Sequence, residues 1–120
     1  MRNLYKIAVA GATLVSLSVA PIAQAATRTV NVSMTDTGFV PTTILTLINQ
    51  PIQVQVTNRG TKVHQYSIPY YHIYTENLSP GRSSTIVFSP WTAGQFQMMS
   101  DPSGQNIPEF SGTFMVTESK

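Results

Sequence analysis

The chain has no cysteine in 120 residues, only two histidines, and a charged fraction of 10%. Without cysteine it forms no disulfide, no thiolate metal centre and no lipid anchor on a cysteine, so the core alone must hold the fold. Long runs of one charge are also missing. Beyond residue 25 the basic residues are Arg28, Arg59, Lys62, Arg82 and Lys120, and the acidic ones are Asp36, Glu76, Asp101, Glu109 and Glu118. These cancel, and the formal charge of +2 comes from Arg2 and Lys6. Such a balance leaves no electrostatic footprint for nucleic acid or for an anionic membrane surface. A sustained helical period is lacking as well.

What is present begins with a leader. Arg2 and Lys6 precede an apolar run from Ile7 to Ala20, followed by Pro21 and the small-residue site Ala23-Gln24-Ala25. This is the pattern of a secretory signal peptide over residues 1–25, with cleavage expected after Ala25. The run is shorter than the roughly 20 residues of a bilayer-spanning helix, so no stable membrane span is expected after cleavage. Residues 26–120 then form one small domain, placed in the periplasm or secreted.

Within that domain Thr, Val, Ile, Ser, Gln and aromatic residues alternate, and Pro or Gly interrupts them about every ten residues. Val30, Val32 and Met34 share one face of a first strand, and Ile52, Val54 and Val56 share one face of a later strand that ends at the turn Asn58-Arg59-Gly60. Ser84–Ser89 and Gly94–Met98 read as strands flanking Pro90-Trp91-Thr92-Ala93, and Thr113–Thr117 closes the chain with Phe114 and Val116 on one face. Ile44-Leu45-Thr46-Leu47-Ile48 is apolar on both faces, which implies a cover from a neighbouring loop or from another protein. Tyr66 to Tyr74 packs four tyrosines into nine residues, and is expected to fold over the core. The fold class is all-β, a sandwich or barrel of short strands.

The order of these signals resembles the cupredoxin family, in particular the small periplasmic cupredoxin-like domains of bacteria. Phe39, Pro41, Ile44, Ile52, Val54, Val56, Asn58, Gly60 and His64 follow that family's succession, with Asn49 where a turn glycine usually stands. Leu78 to Phe88 is similar to its proline–glycine turn and strand, and Gly94-Gln95-Phe96-Gln97-Met98 to the strand that leads into its copper loop. The resemblance implies a Greek-key β-sandwich. It also implies a copper loop of the form C-x-x-P-G-H-x-x-x-G-M-x-G. Laid without a gap on Ser100–Gly112, that pattern puts Ser100 in place of the thiolate, Gln105 in place of the second histidine and Phe110 in place of the axial methionine. His64 alone survives. Blue-copper electron transfer depends on a covalent copper–thiolate bond and is excluded, because a serine hydroxyl stays protonated and is a hard, poor ligand.

Three readings follow. A metal-free accessory interaction domain of the bacterial envelope would use the two-faced strand and the tyrosine segment against an envelope protein partner, and needs no cofactor. A copper-handling domain would bind a copper ion through a non-blue site of His64, Met99 and His72. Met98 is expected to point into the core with Phe96, and Met99 outward. An enzyme would pair Ser100 with His64, expected about 3–4 Å apart because both replace or retain ligands of one ion. Asp101 is badly placed to orient that imidazole, no oxyanion hole is visible, and the protein is read as no enzyme. Asp36 and Glu76 read as solvated carboxylates, whereas Glu109, where the family prefers glycine, reads as an exposed loop carboxylate or as one that would favour a harder cation together with His64. His64, Ser100, Gln105 and Phe110 are expected to converge at one end of the sandwich.

Overall fold

Alternating apolar and polar residues produce strands with one buried face, and two such sheets bury their faces against each other. The computed structural model describes residues 27–118; the expected signal peptide lies outside the described residues. The strands are β1 (Arg28–Met34), β2 (Phe39–Val40), β3 (Thr43–Leu47), β4 (Ile52–Asn58), β5 (Ser67–Ile68), β6 (Ile73–Tyr74), β7 (Ser83–Phe88), β8 (Gly94–Ser100) and β9 (Phe110–Thr117). A 3₁₀ turn over Pro69–Tyr71 joins β5 to β6. The four-stranded sheet runs β2-β1-β4-β7 and the five-stranded sheet β3-β9-β8-β5-β6.

The pairs β1–β4 and β3–β9 are parallel, and the others are antiparallel. Parallel neighbours cannot be joined by a tight hairpin, so the chain changes sheet between β2 and β3, where the Val40–Pro41 peptide is cis. This is the all-β Greek-key sandwich expected from the sequence. The register sets Val30 beside Val54 and Val32 beside Val56, and all but the first are fully buried. Met34, Phe39, Ile44, Ile52, Tyr66, Ile68, Tyr71, Leu78, Met98, Phe114 and Val116 complete one core. Asn49 adopts the left-handed conformation expected of a glycine substitute, with φ of 63°.

The two segments that break simple alternation resolve differently. In β3, Ile44 and Thr46 face the core while Leu45 and Leu47 are 53% and 38% exposed, so the outer leucines are not shielded by the loop the sequence suggested. In the tyrosine segment Tyr66 and Tyr71 are core residues, and Tyr70 and Tyr74 are surface ones.

Gly112 lies where β9 passes the β2–β3 crossing. A Cβ there would stand 2.6 Å from the Thr42 carbonyl oxygen and 2.8 Å from Met98 Cε. Backbone on one side cannot yield as a flexible side chain can. Gly112→Ala should therefore destabilise the fold by about 1–3 kcal/mol, read as a lower denaturant midpoint at unchanged slope.

Candidate functional site

Where β4 ends, the chain must turn before it can reach β5. Asn58 is fully buried and organises that turn, its Nδ2 donating to the carbonyls of Lys62 (2.7 Å) and Leu78 (2.8 Å) while its Oδ1 accepts the Gly60 N–H (2.8 Å). His64 follows, locked by reciprocal backbone hydrogen bonds to Leu78 (3.1 and 2.8 Å). Its ring is fully buried, 5.3 Å from the Phe110 ring.

Both imidazole nitrogens are taken. Nδ1 lies 2.6 Å from Glu109 Oε2, and Nε2 lies 2.9 Å from Asp36 Oδ1. Two carboxylates on opposite edges of one ring call for a proton on each nitrogen, which makes the ring an imidazolium. Burial lowers the His64 pKa, but the hydrogen bonds and charges of Glu109 and Asp36 outweigh it, and the pKa is raised above 6.5. Asp36 is held well below the usual carboxylate range, first by the Thr61 hydroxyl (2.7 Å), then by His64 and by the N–H groups of Thr61 and Lys62. The absence of a side chain at Gly60 makes room, since a Cβ there would overlap Asp36 Oδ1 and stand 3.0 Å from His64 Nε2.

Ser100, at the end of β8, donates to the same Glu109 oxygen at 2.5 Å and accepts the Gln65 N–H at 2.9 Å. Ser100 and His64 are thus brought together through Glu109, which stands between them. Asp101 turns away into its own loop, its carboxylate accepting from the Ser103 hydroxyl and the Asn106 N–H. No Ser–His–Asp relay is assembled.

His64, Ser100 and Phe110 converge at one end of the sandwich, as expected, and Gln105 does not join them: it is exposed on the loop, with its N–H on the Ser103 hydroxyl. Met99 points to the outer face of the sheet as alternation requires, yet is 4% exposed because the flanking segments cover it. His72 is exposed at the end of the 3₁₀ turn, in the left-handed conformation with φ of 56°. His64, Met99 and His72 therefore sit in three different surroundings. Glu109 was singled out in the sequence only as a carboxylate that could favour a harder cation with His64, and the structure instead shows it hydrogen-bonded directly to the imidazole. Asp36 was not legible as a partner, because it is 28 residues away on the β1–β2 connection and reads as solvated. The available signal was the scarcity of charge, which makes any carboxylate near a histidine worth pairing.

A family model described as a cupredoxin-like domain matches residues 6–116. The chain belongs to the cupredoxin-like family. Among solved structures, the metal-binding domain of the Cu(I)-exporting P-type ATPase CopA from Streptococcus pneumoniae, with Cu(I), superposes with a TM-score of 0.64 at 15% identity, covering 77% of this chain and 87% of that one. Auracyanin from Roseiflexus castenholzii gives 0.63 at 14%, covering 78% and 98%. The blue copper oxidase from Nitrosomonas europaea gives 0.61 at 17%, and there the match spans 79% of this chain and 40% of the enzyme. At these identities the likeness is one of fold. No curated protein matches the chain by sequence.

The cupredoxin fold implies copper, and the residues at this end do not fit a blue-copper centre. Both imidazole nitrogens carry protons donated to carboxylates and so offer no lone pair to a metal, the thiolate position carries a hydroxyl already hydrogen-bonded to Glu109, and the axial position is the apolar ring of Phe110. Among the described residues no three of His, Cys, Asp and Glu are placed to share an ion.

The network makes stability depend on pH with a definite sign. The raised His64 pKa adds stability that is fully present below the unfolded value of 6.5 and is lost as pH rises through the folded value. The lowered Asp36 pKa adds stability present above 3.8 and lost as pH falls towards the folded value. Thermal melts should plateau between those limits and decline as pH rises through the folded His64 value, and His64→Gln should remove that step while leaving the separate decline at higher pH from the buried Tyr66. Ser100→Ala leaves the buried Gln65 N–H without its acceptor, and should cost about 1–3 kcal/mol in denaturant unfolding.

Proposed function

We propose that this protein is a periplasmic or secreted accessory domain that works through its surface, without enzymatic activity, in association with another protein of the bacterial envelope. The observation that carries this reading is the occupation of both His64 nitrogens by Glu109 and Asp36, which devotes the surviving ligand position to internal hydrogen bonding. In support, the other end of the sandwich offers rigid exposed rings. Trp91 and Tyr70 are 55% and 48% exposed, Trp91 packs edge-on against Tyr71 at 4.5 Å, and Tyr70 stacks on Phe96 at 4.3 Å. Preordered aromatic side chains of this kind lose little entropy on binding and are favoured contact anchors.

The competing reading is copper handling through a non-blue site of His64, Met99 and His72, supported by the copper-related descriptions of the similar structures. Titrating the purified protein with Cu(I) and Cu(II), beside His64→Ala, separates the two. Weak binding that is unchanged by the substitution is the expected result. Tight binding abolished by His64→Ala would replace the first reading by the second.

A further inference from the structure

Beside the His64 network the same loop builds a second feature. Asp101 is 6% exposed, with Oδ1 accepting from the Ser103 hydroxyl (2.5 Å) and Oδ2 from the N–H groups of Asn106 (2.7 Å) and Ile107 (3.3 Å). The carboxylate coils residues 101–107 around itself, with Gly104 and Asn106 in the left-handed conformation. That coil forms one wall of a half-open cleft of about 460 Å³. Tyr74, Thr75 and Asn77 form the other, and Ser67 of β5 and Met99 of β8 the floor. Asn77 Nδ2 donates to the Pro102 carbonyl at 3.0 Å and ties the walls together. The volume lies within the roughly 300–1,000 Å³ of small-molecule sites, and tied walls suit a compact ligand better than an extended chain.

The lining is held in place before any ligand arrives. Gln65, 5% exposed, donates from Nε2 to the carbonyls of Tyr66 and Thr75 (3.0 Å each) and accepts at Oε1 from the Ser67 hydroxyl (2.8 Å) and the Asp101 N–H (3.1 Å). The lining's chemistry selects by exclusion. Asp101 is the carboxylate among the lining residues, and its oxygens already accept three hydrogen bonds, so a cationic ligand would have to compete with the loop itself. An anion would meet that carboxylate with no lysine or arginine in the lining to offset it. A purely aliphatic ligand would desolvate Asn77, Asn106 and Thr75 without replacing their hydrogen bonds. What fits is an uncharged molecule with donors and acceptors on one side and an apolar patch for Met99, Pro102 and the Tyr74 ring on the other.

We propose that this cleft is a binding site for a neutral, hydroxyl- and amide-bearing small molecule of the class of an N-acetylated mono- or disaccharide. The site is separate from the proposed partner surface, and neither depends on the other. The test is to titrate the isotope-labelled protein with N,N′-diacetylchitobiose while following backbone amide resonances, with glucosamine and glucuronate as charged controls. Saturable shifts should centre on Ser67, Thr75, Asn77 and Gly104, and both controls should bind at least about tenfold more weakly. Tyr74→Ala, which alters an exposed ring, should weaken binding by a similar factor without lowering the melting temperature, and Asn77→Ala should do so through the loss of the wall contact. No saturable shift up to tens of millimolar, shifts centred on Trp91, or equal binding of the charged sugars would each overturn the assignment.

Discussion

One protonated ring between two carboxylates organises one end of this sandwich. The His64 imidazolium joins Asp36 on the β1–β2 connection to Glu109 on the loop before β9, and is itself anchored to the segment after β4. Three stretches distant in sequence are thereby fixed to one another. The arrangement leaves an excess negative charge, which Thr61, Lys62 and Ser100 spread through their hydrogen bonds to the carboxylates. Partial exposure of Asp36 and Glu109, at 31% and 32% of their side chains, keeps water available to the remaining lone pairs. A buried cation is tolerable only when it is paired and hydrogen-bonded on every donor, and here both donors of the ring are satisfied.

Seen this way, the departures from the copper loop form a set. A hydroxyl at Ser100 donates to the carboxylate that a glutamate introduces at 109, and the ring of Phe110 packs against the imidazole that this carboxylate holds. Phe110 also meets Phe39 edge-on at 4.9 Å, which continues the apolar core up to the network. The polar exchanges complement each other, and the apolar one seals them from the interior. The hydrogen bonds of Ser100 and His64 to Glu109 close this end of the sandwich.

The scaffold was legible from the residues because period-2 alternation survives in its long strands. Val32, Val54, Val56, Phe114 and Val116 fall on the core side in both the pattern and the structure. The two-residue strands β2, β5 and β6 were not legible, since two residues carry no period and their pairing is set by tertiary contacts. The convergence of His64, Ser100 and Phe110 followed from ligand positions aligned to a family resemblance. The exposure of Gln105 did not, because Asp101 gathers residues 103–107 around its own carboxylate and holds that turn at the surface. Asp36 escaped notice for a plainer reason: a hydrogen bond between residues 28 apart leaves no trace in local spacing.

Among the described residues strand β3 ends its sheet, with its outward leucines beside that edge. Such an edge is a template on which a foreign strand can polymerise. The Arg28 guanidinium occupies the Leu45 carbonyl that points from that edge. A single cation at the start of β1 thus engages one acceptor of that edge from the opposite sheet.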